Sequence, residues 1–382
     1  MTVHGIRRIS VCREGWYHLL VVLFIFGGAV LREINLLVVL GGVLVAPAIF
    51  NWRIVAATLY RLRLNRGVRS SVFAGDEFTV EMQIANERPM LPSWAIVVQD
   101  QVRGAGERKG QRVEVVLPYV APGETARACY YATINRRGRH VLGPLKMSTR
   151  FPLGLVRSQV SVTDEVGLIV LPRLGKLSSQ WTSMLDSSQP GVQSSARRRG
   201  VSDGDYYALR EWRSGDSRRW IHWRTSARLN TLVVRQFEDQ QRRDIGLVLD
   251  LWLPDDPTDQ QRGALELAIS FAATVLTESH RTTNDILRVA AAGRESSFWG
   301  GQSDARSNRD LLQRLAVIEG GVADGVPALL DAVRHETGAS APVVVISTRS
   351  LSDAHEAAQF HSSFVRWIDV RGEERSRFFT LE

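Results

Sequence analysis

Near the amino terminus two apolar runs, residues 16–31 (WYHLLVVLFIFGGAVL) and 34–50 (INLLVVLGGVLVAPAIF), carry no formal charge and are separated only by Arg32 and Glu33. Runs of this length and composition fold as helices, and so short a gap makes them a helical hairpin. Each run is slightly shorter than the roughly 20 residues that cross hydrocarbon, but Trp16, Tyr17, Asn35 and Trp52 sit well in the interfaces and complete the span. Arg7, Arg8 and Arg13 precede the pair. Arg53, Arg61, Arg63, Arg66 and Arg69 follow it, with no acidic residue before Asp76. That bias predicts a cytoplasmic N-terminus over 1–15, a two-helix transmembrane hairpin over 16–52, a basic juxtamembrane segment over 53–71, and both chain ends on the cytoplasmic side of the cell membrane. A cleaved signal peptide would not be followed at once by a second apolar run. A buried soluble hairpin would leave the flanking arginines unexplained.

At 382 residues the chain has room for two to three domains, and 44% hydrophobic residues suffice for ordinary cores. The net charge of +8 suits nucleic acid, an anionic membrane or an acidic partner, so the location of the charge has to decide. Cys12 and Cys129 are the two cysteines, too few for a disulfide framework or a cysteine metal site.

From residue 72 to about 176 short alternating stretches (EFTVEMQIAN, WAIVVQDQV, RVEVVLPYV, TARACYYATIN) are broken by Gly and Pro turns, the pattern of an antiparallel β-sandwich without a helix of useful length. His140 is isolated and reads as structural. The region serves as a scaffold or docking module. Residues 177–203 are serine-rich and weakly apolar and read as a flexible linker.

Residues 204–243 are denser in information. Asp216 stands where it would cap a helix beginning at Ser217 or Arg218. Trp220, Trp223 and Ala227 recur at helical spacing, and Asn230 suits a left-handed terminus. LVVRQF then reads as an edge strand. Arginine and tryptophan, which dominate this segment, are the residue types that concentrate binding energy at interfaces.

The stretches GDYYALREW, GDSRRWIHWRTSAR and LVVRQFEDQ resemble the signature of the bacterial family known as domain of unknown function 58, and FPLGLV at 151–156 resembles that family's turn before its linker. The resemblance extends along the whole chain. It implies a membrane hairpin, a β-sandwich and an α/β, Rossmann-like von Willebrand factor A-like domain, and association with a MoxR-type AAA+ ATPase in assembling or maturing other complexes. On that footing Arg210, Trp212, Asp216, Arg219, Trp223, Arg224 and Arg228 are the partner-binding candidates. The competing reading is that Arg210, Arg213, Arg219, Arg224 and Arg228 pair internally with Asp203, Asp205, Glu211 and Asp216 and serve architecture alone.

Residues 244–382 alternate strand and helix, which implies parallel strands covered by helices, with ligands bound at the carboxyl ends of the strands, where Asp250 and residues 347–349 fall. The resemblance implies a metal site there, built from an aspartate ending the first strand and serines two and four residues later. Asp250 keeps the aspartate, but Trp252 and Pro254 stand at the serine positions and offer no side-chain oxygen. No metal and no cofactor is therefore expected.

No GxxxxGK[ST], HExxH or GxSxG pattern occurs, so the expectation is a binding protein and not an enzyme, although a site assembled from scattered residues leaves no mark in sequence. Over residues 197–243 twelve arginines face six carboxylates among several tryptophans, which keeps nucleic-acid binding as the alternative. The leading expectation is a membrane-tethered adaptor whose client and pathway the sequence does not name.

Overall fold

A computed structural model describes residues 6–68, 71–104, 110–162, 165–187, 206–214, 216–237, 244–282, 285–300, 305–322, 325–338, 341–350 and 365–381. The chain divides into two units, Met1–Arg173 and Leu174–Glu382.

In the first unit, strand β1 (Ile6–Val11) leads into helix α1 (Arg13–Arg32), which is followed by α2 (Asn35–Thr58). Glu33 turns the chain in the left-handed region at φ 50° and closes on Ala29 through its backbone N–H. Both helices are long and apolar enough to cross a membrane. Their apolar side chains point outward, with Phe24 72%, Leu31 85% and Leu36 76% exposed, so this is not the hairpin of a soluble core. The helices pack closely at Gly41, where a Cβ would come within 2.8 Å of the Phe26 ring.

The remaining strands form two sheets. β2 (Leu62–Val68), β4 (Glu77–Asn86) and β7 (Thr125–Thr133) make the smaller one. The larger contains β1, β3 (Val72–Phe73), β5 (Ser93–Gly104), β6 (Gln111–Val120), β8 (Gly138–Leu142), β9 (Leu145–Thr149), β10 (Val156–Val162) and β11 (Val166–Leu171), in the order β1-β10-β9-β5-β8-β11-β3 with β6 on the free side of β5. Alternate residues of both sheets, among them Val80, Met82, Ile84, Ile96, Val98, Leu142 and Met147, share one buried core, which is the expected sandwich.

The sandwich reaches further toward the amino terminus than its expected start at residue 72. β1, placed by the sequence in a cytoplasmic N-terminus, pairs antiparallel with β10 from Ile6↔Ser161 to Val11↔Val156. The segment 53–71 is not a basic juxtamembrane stretch. α2 continues to Thr58, and β2 follows with Leu62, Leu64 and Arg66 facing inward on a two-residue period. Arg66 and Asp100 are 2% and 0% exposed at their side chains, with Nη1 2.8 Å from Oδ1. The Tyr130 hydroxyl donates to Asp100 Oδ2 at 2.8 Å, and Arg66 Nη2 donates to Leu142 O at 2.9 Å. Burial, then the adjacent Asp100 charge and hydrogen bond, push the Tyr130 phenol far above its ordinary range. Arg69 lies outside the described residues.

Arg88 joins hairpin to sandwich. It is 5% exposed and donates to Ala57 O at 2.8 Å, to Asn86 Oδ1 at 2.9 Å and to Pro92 O at 3.0 Å, and it also contacts the Ser93 hydroxyl. The Ser93 hydroxyl in turn donates to Thr58 O at 3.0 Å. A cation thus closes the carboxyl end of α2, where helix carbonyls are left without partners. Burial lowers the pKa of this arginine from its usual value.

The second unit opens with β12 (Lys176–Leu177) and α3 (Ser179–Ser187). The first residues of the expected flexible linker are therefore ordered, because Trp181 is 2% exposed and packs edge-on to Phe271 at 5.3 Å. Residues 188–203 of that linker lie outside the described residues. β13 (Tyr206–Glu211) and β14 (Val233–Phe237) form an antiparallel ribbon enclosing a 3-10 turn, Arg218–Trp220, and α4 (Trp223–Leu229).

A five-stranded sheet follows, made of β15 (Asp244–Asp250), β16 (Ile286–Ala292), β17 (Ser296–Trp299), β18 (Val343–Ser347) and β19 (Val365–Asp369) in the order β17-β16-β15-β18-β19. Only β17 runs antiparallel. α5 (Asp259–Thr282), α6 (Ala305–Val317) and α7 (Val326–Thr337) connect the strands, and α8 (Glu374–Phe378) leads to β20 (Phe379–Thr380), which pairs with β12. Val248, Ala290, Val343 and Val345 bury one face of the sheet against Leu330 and Val333 of α7. From central β15 the chain proceeds to β16 on one side and later to β18 on the other, so the order reverses at β15.

Candidate functional site

The reversal places the carboxyl end of β15 where open parallel sheets gather ligands, and Asp250 occupies it, 0% exposed and in register with Ser347. Arg349 Nε donates to Asp250 Oδ2 at 2.8 Å, and the Ser347 hydroxyl lies 2.7 Å from the same oxygen. Ser347 Oγ also accepts from the Arg349 backbone N–H at 3.0 Å. The guanidinium carbon stands 6.0 Å from the centroid of the Trp252 ring, and Thr348 Oγ1 donates to Trp252 O at 2.7 Å. Asp250 Oδ1 has no hydrogen-bond partner among the described residues. The positive charge opposite Asp250 is thus the protein's own, and Trp252 gives it an aromatic face. Among the described residues no group of three or more His, Cys, Asp or Glu side chains converges as a metal site. Pro254 is half-buried beyond Trp252, and Asp255 and Asp256 are exposed.

The arginine- and tryptophan-rich segment forms the end of the β13–β14 ribbon. Its expected single helix is two pieces, with Ile221 and His222 between them. The Asp216 carboxylate is not the cap. Ser217 accepts from Arg219 N at the 3-10 turn, and His222 Nδ1 accepts from Thr225 N at 3.3 Å at the start of α4. Asn230 takes the left-handed conformation at the end of α4, at φ 53°. Buried Ser226 ties α4 to β14 by accepting from Val233 N at 2.9 Å.

Asp216 is engaged elsewhere. Arg210 Nη1 and Nη2 each approach one of its oxygens at 2.6 Å, and Arg213 N donates to it at 2.8 Å. This bidentate bond raises the Arg210 pKa above its usual value, burial opposes it, and the Asp216 charge adds to it. Trp212 is half-buried, its backbone N–H bonded to Leu232 O at 2.7 Å and its indole Nε1 without a partner among the described residues.

The other candidates point outward. Arg219, Arg224 and Arg228 are exposed, as are Arg213 and Arg218, and none of the five has a carboxylate partner among the described residues. Trp223 is 66% exposed, with Leu229 at 55% and Leu232 at 46%. The candidate set therefore separates into an internal Arg210–Asp216 fastening and a group of exposed side chains, Arg219, Arg224, Arg228 and Trp223. Asp203 and Asp205 lie outside the described residues. Sequence reasoning missed β13 as the partner of β14, and it missed the role of Arg349.

A family model described as "Protein of unknown function DUF58" matches residues 208–371. "Uncharacterized protein YeaD" of Bacillus subtilis (strain 168) is 23% identical over 276 residues, which are 70% of this chain and 66% of that protein. The match thus spans just under two thirds of the relative. Among solved structures, the putative ApaA protein from Bordetella pertussis is 16% identical over 28% of this chain and 93% of that one, with a TM-score of 0.22. A beta-glucosidase from Listeria innocua is 14% identical over 28% of this chain and 16% of that one, with a TM-score of 0.19. At these TM-scores neither structure carries an argument. The carboxy-terminal part of the chain, residues 208–371, is thus similar to the DUF58 family, with a distant relative aligned beside it.

Proposed function

We propose that the protein is a membrane-anchored adaptor, its soluble parts cytoplasmic, that works by binding a MoxR-type AAA+ ATPase rather than by catalysis. The observation carrying this reading is the outward basic face of the ribbon lobe. Five exposed arginines without carboxylate partners among the described residues share this lobe with an exposed Trp223, while Arg210 and Asp216 fasten it internally. An exposed indole on a lobe with several exposed guanidinium groups suits an acidic protein surface, since arginine forks pair with carboxylates and indole buries a large area.

Two further features fit. α1 and α2 supply a two-pass membrane anchor whose flanking strands β1 and β2 belong to one sandwich, so both ends of the hairpin face the same side. We read the carboxy-terminal sheet as von Willebrand factor A-like, with Arg349 and Trp252 in place of a bound cation at Asp250.

The test is crosslinking and affinity capture of the full-length protein from its native membrane, comparing wild type with Arg224→Ala/Arg228→Ala. Recovery of an AAA+ ATPase with wild type alone supports the reading. Its absence from both removes the adaptor reading, and salt-sensitive retention of nucleic acid instead would assign the basic face to that ligand.

A further inference from the structure

The turn at residues 151–155 (FPLGL) is wedged between the bases of both apolar helices. Leu155 O accepts the Cys12 N–H at 2.8 Å, and Gly15 of α1 packs so closely that a Cβ would lie 2.2 Å from Leu155 O. On the other side Leu153 N–H donates to Asn51 Oδ1 of α2 at 3.0 Å, and Asn51 is 0% exposed. The turn is thereby fixed at the level of Trp16, Tyr17 and Trp52, which are 63%, 57% and 49% exposed.

Apolar surface continues from the turn onto the sandwich. The Leu153 side chain is 49% exposed although its backbone is anchored. Phe151 stacks on Trp94 at 5.4 Å, and Trp94 meets Tyr119 at 4.5 Å, both of the latter remaining over a third exposed. Arg13, Arg53 and Arg150 are exposed at the same base. Scattered exposed apolar residues need no explanation. Here they are contiguous with the helix bases, mix indole and phenol rings with arginine, and are held by backbone bonds, a composition that suits the boundary between headgroups and acyl chains.

We propose that the 151–155 turn, with Trp94 and Tyr119 beside it, is a shelf seated in the headgroup layer of an anionic bilayer, so that the sandwich rests on the membrane. The proposal depends on α1 and α2 spanning that bilayer. In water the same groups would be an uncovered apolar patch. In the interface the rings lie at headgroup depth and the arginines meet lipid phosphates.

The test uses the full-length protein with Cys12→Ser and Cys129→Ser, reconstituted in vesicles of phosphatidylcholine and phosphatidylglycerol. An environment-sensitive fluorophore is attached at Leu153→Cys, at Val43→Cys within α2, or at Tyr131→Cys on β7. Tyr131 pairs with Thr79, seven residues along β4 from the end at Asn86 that pairs with Leu62, a separation of about 23 Å. Nitroxide on the lipid headgroup should quench the label at 153 by at least about twofold and barely affect the label at 131, while nitroxide near the bilayer centre quenches the label at 43. A label at 153 that stays unquenched while 43 is quenched overturns the shelf and leaves the spanning hairpin standing. Failure at both positions overturns both, and equal quenching at 153 and 131 overturns the shelf by showing no local seating.

Discussion

Arg349 Nε and Asp250 Oδ2 meet at 2.8 Å inside the second unit, with side-chain exposures of 9% and 0%, although 99 residues separate them in the chain. Arg349→Ala leaves a buried carboxylate uncompensated and should lower the stability of this unit by about 3–5 kcal/mol, read from denaturant unfolding. Asp250→Leu/Arg349→Met should recover most of that loss. Because the arginine supplies the opposing charge, millimolar magnesium should leave the wild-type melting temperature unchanged. A rise that scales with the logarithm of magnesium concentration would refute this account of the site.

The buried triad of Arg66, Asp100 and Tyr130 should make the sandwich sensitive to alkali. Tyr130 holds its proton in the folded state to a higher pH than it does unfolded. Its contribution is thus complete below the ordinary phenol pKa of about 10 and is lost as pH rises beyond that, because the unfolded chain releases a proton that the native chain retains. Thermal melts between pH 8 and 11 should show stability falling above about pH 10, and Tyr130→Phe should make that fall shallower while costing about 1–3 kcal/mol at neutral pH. An unchanged slope would mean that other groups control the alkaline transition.

Within the ribbon lobe, two classes of arginine should separate experimentally. Arg224→Ala and Arg228→Ala remove exposed guanidinium groups that have no carboxylate partner among the described residues, so stability should shift by no more than about 0.5 kcal/mol. Asp216→Ala breaks the bidentate bond to Arg210 and the acceptor for Arg213 N, and should cost about 1–3 kcal/mol. Equal destabilisation by both classes would make the outward arginines architectural.

Replacing Arg88 tests how the hairpin is attached. Arg88→Met keeps the aliphatic stem but strips Ala57 O and Pro92 O of their buried donor, so sandwich stability should fall by about 1–3 kcal/mol. Arg88→Lys should recover only part, since a single ammonium lacks the fork that reaches both carbonyls. Limited proteolysis near residues 59–61 should quicken in the methionine variant, and an unaltered rate would place the restraint elsewhere.

Elements whose signal is local were legible in the sequence. The apolar runs gave the two helices, and Asn230 ended α4 in the left-handed conformation as its residue type implied. Arg66 was misread because a tally of flanking charge ignores the two-residue alternation with Leu62 and Leu64 that turns it inward to Asp100. The same limit hid β13, since a strand that borrows its partner across an intervening lobe shows little periodicity of its own. Strand topology located the end of β15 as a place to look, but the pairing of Asp250 with Arg349 is a long-range contact that no spacing rule encodes. Trp181 likewise looked like part of a linker until the ring of Phe271 was in place.

The pairing of β1 with β10 also sets an order of events during synthesis. Residues 6–11 leave the ribosome before both apolar helices, yet the strand that completes them is residues 156–162. The helices are thus complete while β1 still has an open edge, and about 150 residues must be made before that edge closes. Both helices are thus complete before the sandwich can be, and its first strand stays unpaired until β10, one of its last, has been made.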